Sequence, residues 1–205
     1  MHTLVTRLGK RARRAYTAVE VMLALTVLLI STAGVMSMQK ASIQANVDAR
    51  RLDTANQIAR IWLDRLAMDS ANWNSNTPLN QTLWLGTMLG NGFLTPAAEP
   101  SSLPVWSPAF DILGRDLPNV NDTTASFCTK VNVSLLANGP SPTGGPVPVM
   151  LEVTVLVFWP KNLLGAAGTP QSPLCPGPSD VANYENSNPG TYHMLFATEA
   201  LRRSS

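Results

Sequence analysis

The distribution of proline most constrains how this chain can fold. All sixteen prolines lie at Pro78 or later, so the first 77 residues lack the residue that breaks helices. Within that part, the nineteen residues from Val21 to Gln39 carry no charge. At about 1.5 Å rise per residue, such a helix reaches roughly the 30 Å thickness of a bilayer's hydrocarbon core. The sequence therefore predicts a long N-terminal helix whose first part spans a membrane.

Charge is distributed unevenly along the chain. Residues 1–15 hold five basic residues and no acid, whereas the remainder has ten Lys and Arg against thirteen Asp and Glu. Positive charge before the apolar run predicts a cytoplasmic N-terminus and a translocated C-terminal part. Because no later basic run with interleaved aromatic residues follows, the composition argues against nucleic acid as a partner.

A single acid, Glu20, directly precedes the uncharged run. A charge at the centre of a membrane helix costs about 2.5–3.5 kcal/mol on insertion scales, and less near the interface. The segment has three competing interpretations. The first is a secretory signal cleaved near the small residues 31–33. The second is a plain membrane anchor, in which the Glu20 side chain extends to the membrane surface, and the third is a segment in which Glu20 has a role of its own. A signal peptide usually has an apolar region of only about 7–15 residues, so the length weighs against the first.

The residues around Glu20 resemble the class III signal of type IV prepilins. Basic residues, Ala15 and the segment YTAVE at 16–20 follow in order that family's pattern of a small residue, Phe, Thr, Leu, Ile and Glu. Ala stands where Gly is usual, and Tyr where Phe is usual. The resemblance implies cleavage by a prepilin peptidase between Ala15 and Tyr16 and methylation of the new Tyr16 amine. It also implies that Glu20 forms an assembly salt bridge with such an amine on a neighbouring subunit.

Further similarity favours a minor subunit of the filament. Major pilins commonly carry a proline at the position of Ser37, and the apolar strand that ends at Trp159 is similar to one in PilV-type minor pilins. The resemblance implies a structural subunit of a type IV pilus tip or priming complex that helps initiate filament assembly and presents an adhesin. Other minor pilins, the major pilin and the inner membrane are then partners. A minor pseudopilin of type II secretion and a membrane-anchored periplasmic binding domain are the alternatives.

Three parts are expected: a leader at 1–15, a helix at 16–70 and a periplasmic head at 71–205. The helix is divided into an apolar half at 16–39 and an amphipathic half at 40–70. In the second half, apolar residues recur at helical spacing and predict one stripe that packs under a sheet: Ile43, Val47, Ile58, Trp62 and Leu66. The charged residues beside it are predicted to form a solvated face: Arg50, Arg51, Asp53, Arg60, Asp64 and Arg65.

The head carries the pattern of antiparallel strands. Apolar residues alternate over 127–135 and 147–159, and the Pro- and Gly-rich segment 139–146 predicts a hairpin loop between the two strands. A third strand is expected at 191–201 and a short helix within 83–89, whereas 96–118 reads as irregular. The predicted fold class is therefore α+β, with the long helix packed on an antiparallel sheet as in pilins.

Two cysteines, Cys128 and Cys175, are the only ones in the chain. In an exported protein such a pair most often forms a disulfide, and the Pro-rich insert between Val157 and Thr191 would then be a stapled surface loop. A metal site is not predicted, because His2 lies in the leader and His193 stands alone in a strand-like run. Without nucleotide-binding, hydrolase or zinc-protease motifs, the sequence predicts a protein that is not an enzyme and needs no cofactor.

Overall fold

The computed structural model describes residues 17–74, 78–99, 106–140, 146–161, 175, 181, 186–187 and 189–204. The chain falls into two compact units that meet between Asp48 and Ala49. Helix α1, Ala18–Ala71, contributes its N-terminal part to the first unit and its C-terminal part to the second. Ala15 and Tyr16, the predicted cleavage site, lie outside the described residues.

The head is built on one antiparallel sheet. Its strands are β1 (Ala109–Phe110), β2 (Phe127–Gly139), β3 (Val147–Pro160) and β4 (Tyr192–Arg202), in the order β1-β2-β3-β4. Period-two alternation located β2 and β3 to within a few residues, although β2 runs four residues past its expected end. The third expected strand, at 191–201, corresponds to β4. The predicted α+β class, a long helix with a C-terminal antiparallel sheet, is confirmed.

The main core lies between the sheet and the C-terminal part of α1. Ile58, Trp62 and Leu66 project from one side of the helix and are fully buried. Alternate residues of the strands meet them from the sheet: Val131, Val133, Leu151, Val153, Val155, Val157 and Trp159. Each such side chain contributes about 1.5–3 kcal/mol through removal of its apolar surface from water, so this layer holds the helix on the sheet.

Two predictions for the amphipathic half of α1 are wrong in part. Ile43 and Val47 belong to the predicted stripe but are 65% and 42% exposed, because helical spacing identifies an apolar face without identifying what covers it. Arg65 was expected to be solvated, yet it is buried against the head. Arg60 and Asp64 are exposed as expected.

The segment that follows α1 is tied to the end of the helix by a buried carboxylate. Asp69 accepts hydrogen bonds from the backbone N–H groups of Leu83, Trp84 and Leu85 at 2.8, 2.9 and 3.1 Å. These three donors precede or begin the short helix α2, Leu85–Met88, where backbone N–H groups have no partner within the helix. A 3₁₀ turn, Leu79–Gln81, precedes α2. Helix α2 lies within 83–89, the range in which the sequence predicts a short helix.

A second apolar cluster covers part of the opposite face of the sheet. Cys128, Leu156 and Phe158 from the strands pack there with Cys175 and Val181 from the segment between β3 and β4. Cys128 and Cys175 form the predicted disulfide, with their Cα atoms 5.2 Å apart. The prediction of a surface loop is wrong at these two positions, because Cys175 and Val181 are buried.

Removal of this disulfide is expected to destabilise the head. Cys128→Ser together with Cys175→Ser releases a cross-link with a sequence separation of 47, and the chain-entropy model assigns a loop of that size about 4 kcal/mol. We therefore expect the free energy of unfolding to fall by about 2–4 kcal/mol in chemical denaturation. Denaturation of the unmodified chain in reductant is the matched measurement, and equal stability with and without reductant would contradict the prediction.

Candidate functional site

The candidate site is the start of α1, where Glu20 lies in the first turn. Thr17 precedes the helix, and its hydroxyl oxygen accepts a hydrogen bond of 3.3 Å from the N–H of Glu20. A threonine before the first turn with a glutamate three residues later has the spacing of a capping box. Glu20 also lies where the positive end of the helix dipole favours a negative charge. Local structure therefore accommodates the acid, a role that the sequence analysis did not consider.

The surface that follows Glu20 is apolar and exposed. Every described side chain from Thr17 to Arg50 is exposed, and large aliphatic residues such as Leu23, Leu29 and Ile30 have 62%, 67% and 74% of their surface accessible. An exposed apolar surface of this size marks a region that lipid or another protein covers. Among the described residues, α1 is the one helix that is long and apolar enough to cross a membrane by length and composition.

The polar side chains within this surface are satisfied inside the helix. Between Val21 and Met38 the only polar side chains are hydroxyls, and each donates to a backbone carbonyl three or four residues earlier at 2.8–2.9 Å. The four residues are Thr26, Ser31, Thr32 and Ser37. Because no hydroxyl hydrogen is left without an acceptor, the segment suits an environment without water.

Glu20 is therefore the one ionisable group at the end of an otherwise uncharged surface. No ion pair joins it to any other described residue. In an apolar environment, where water is absent, a cation brought close to Glu20 supplies the counter-charge that the end of the helix alone does not. The chemistry available to Glu20 is thus recognition of a positive group, such as an amine, on another molecule.

Among the residues that the structure describes, no three His, Cys, Asp or Glu side chains lie close enough to hold a metal ion. His193 lies in β4, and its ring stacks on that of Trp159 with centroids 5.3 Å apart. Cys128 and Cys175 are joined to each other and lie in the second unit, whereas Glu20 lies in the first.

Comparisons of this chain with protein-family models, with curated protein sequences and with solved structures find no match.

Proposed function

We propose that this chain is a minor pilin, a structural subunit without catalytic activity in the tip or priming complex of a type IV pilus. The lone acid at the head of an uncharged, exposed helix is the observation that carries the proposal. In a filament core, α1 packs against the helices of other subunits, and Glu20 pairs with a neighbour's N-terminal amine. Presentation of an adhesin and a contribution to adhesion and motility belong to the same proposal.

The apolar half of α1 supports this proposal in two ways. Its exposed aliphatic surface requires an apolar partner both in the membrane before assembly and in the filament afterwards. Its hydroxyls are satisfied within the helix, so the segment can leave lipid for a protein environment without exposing unmet donors. We place the subunit in the inner membrane with its head in the periplasm, and in the pilus or at its tip after assembly.

Leader cleavage tests the proposal. We expect the mature chain to begin at Tyr16, because the basic segment and the small residue Ala15 form the peptidase site. Ala15→Leu should leave the precursor uncut, since a larger side chain replaces the small one at the cleavage position. Intact-mass measurement of the protein from cell membranes reports both results.

Ala33→Leu is the matched control for this experiment. Residues 31–33 offer the small side chains that an ordinary signal peptidase would use. Under the proposal, Ala33→Leu leaves cleavage after Ala15 unchanged. A mature chain that begins after Ala33, and whose release is blocked by Ala33→Leu, would instead identify a secretory signal.

A further inference from the structure

The outer edge of β4 is a second feature that calls for a partner. β4 is the last strand in the sheet order and spans eleven residues. From His193 to Arg202, no backbone hydrogen bond joins its outer side to another described residue. Natural edge strands are usually short, bulged or guarded by proline and lysine, because unpaired edges attract other strands. β4 is long and contains neither residue.

The register shows which backbone groups of β4 point away from β3. The N–H of Lys161 donates to the carbonyl of Thr191, and that of Arg203 to Val149, both at 3.0 Å. Both pairs continue the register of β3 with β4, so the odd-numbered residues of β4 exchange hydrogen bonds with β3. Because bonding alternates along an antiparallel pair, the even-numbered residues direct their N–H and C=O groups outwards. These residues are Met194, Phe196, Thr198, Ala200 and Arg202.

Apolar side chains flank the middle of this edge. Phe196 is 49% exposed, and its ring packs edge-to-face against that of Phe93 at 6.0 Å. On the opposite face, Leu195 and Ala197 lie at the margin of the main core and are partly exposed. A strand added at this edge would therefore gain hydrogen bonds and bury apolar surface on both faces.

A second copy of the chain does not fit this edge. Antiparallel pairing of β4 with β4 has a two-fold axis perpendicular to the sheet, which keeps each face of the sheet on the same side. Glu199 of one copy therefore cannot lie opposite Arg202 of the other, because these two residues are on opposite faces. Head-to-tail pairing would need the opposite edge of the sheet, but β2 is bonded there to Pro108, Leu94 and Gly90 as far as Val133. Beyond Val133 the register of β2 with β3 is irregular, and such an irregularity makes an edge less able to pair with another strand.

We propose that the edge of β4 docks an extended segment of a different polypeptide, which adds a fifth strand to the sheet. The charges specify that segment further. Glu199 and Arg202 lie on opposite faces, and neither forms an ion pair within the described ranges. A complementary segment carries a basic residue opposite Glu199, an acidic residue opposite Arg202, and apolar residues opposite 194–197. Strand docking does not depend on the filament assignment, since a pilus, a pseudopilus or a binding domain would use it alike.

Site-specific photo-crosslinking from position 196 of the full chain, in the membranes of its own cells, tests this proposal. We expect adducts that map to one contiguous segment of another protein with the stated charge pattern. Ala200→Pro removes an outward N–H that β3 does not use, so it should preserve the fold and reduce the adduct by about tenfold or more. Ala200→Val keeps that N–H and should leave the adduct unchanged.

Amide hydrogen exchange gives a second readout that depends on the register. In the isolated full chain in detergent, the amides of residues 196, 198 and 200 should exchange rapidly, while those of 195, 197 and 199 are protected. In the cross-linked complex both sets should be protected. The proposal is overturned by adducts with a second copy of the chain, by an absence of adducts, by adducts insensitive to Ala200→Pro, or by even-numbered amides already protected in the isolated chain.

Discussion

If the chain is the proposed minor pilin, Glu20→Ala is expected to abolish or strongly reduce its incorporation into a filament while leaving it in the membrane. Removal of the charge makes the helix more apolar, so membrane insertion should persist or improve slightly. Leader cleavage should persist as well, because the residues next to the cut are unchanged. In the filament, however, the amine of a neighbouring subunit would lose its counter-charge in an apolar core, where breaking such a pair costs about 3–5 kcal/mol.

Three quantities measured in one strain test this prediction: the processed protein, its membrane fraction and its amount in sheared pili. Thr17→Val is the matched control, because Thr17 caps the first turn of α1 without carrying a charge. If Glu20 served only as a capping residue, both substitutions would have the same small effect of about 1 kcal/mol on the helix. Glu20→Gln, which keeps the shape and removes the charge, should behave like Glu20→Ala. Normal incorporation of the Glu20→Ala protein would end the proposed role.

Asp116→Ala is expected to cause a large loss of head stability. The Arg65 guanidinium donates to both carboxylate oxygens of Asp116 at 2.9 and 2.7 Å, and the side chain of Arg65 is only 5% exposed. It also lies over the ring of Trp62, with its central carbon 5.0 Å from the ring centroid. Without Asp116 the guanidinium stays buried with no counter-charge, so unfolding should become easier by about 3–5 kcal/mol in denaturant titration.

Asp111→Ala is the matched control on a pair whose cation is exposed, since the Asp111 side chain is 15% exposed and that of Asp116 17%. Asp111 accepts from the side chain of Arg115 at 2.7 Å, but Arg115 is 74% exposed. Burial raises the pKa of Asp111, yet hydrogen bonds from Arg115 and Leu113 outweigh this and hold the pKa below its ordinary value. Its contribution is therefore present at neutral pH, where about 1 kcal/mol is expected, and is lost as the pH falls through that pKa.

A double variant separates two contributions to the loss of stability: the loss of the ion pair itself and the cost of leaving the Arg65 charge buried without a partner. Arg65→Met combined with Asp116→Leu replaces both partners with apolar side chains, and should recover most of the stability lost in Asp116→Ala. If Asp116→Ala cost no more than Asp111→Ala, the buried pair would not hold α1 to the head.

Local sequence information was sufficient for the elements themselves. The absence of proline before Pro78 predicted one helix at 16–70, and α1 spans Ala18–Ala71. Alternating apolar residues predicted β2 and β3, because a strand buried on one face needs side chains of one kind at every second position. A third strand was expected at 191–201, where β4 lies. The two-residue strand β1 was missed, since two residues carry no period.

Contacts between distant residues were decided only in the tertiary structure. Arg65 has the charged neighbours of a solvated helix face, and its burial depends on Asp116, which lies 51 residues away. Likewise, Cys175 and Val181 lie in a Pro- and Gly-rich segment without a period, yet they are buried on the second face of the sheet. Periodicity indicates which face of a helix or strand is apolar. Which surface packs against that face depends on how the chain between the two folds. The sequence by itself determined that Glu20 stands alone before an apolar run, because charge and hydropathy are local properties. Only the tertiary structure decided that β4 is the last strand in the order of the sheet, because strand order depends on contacts between distant residues.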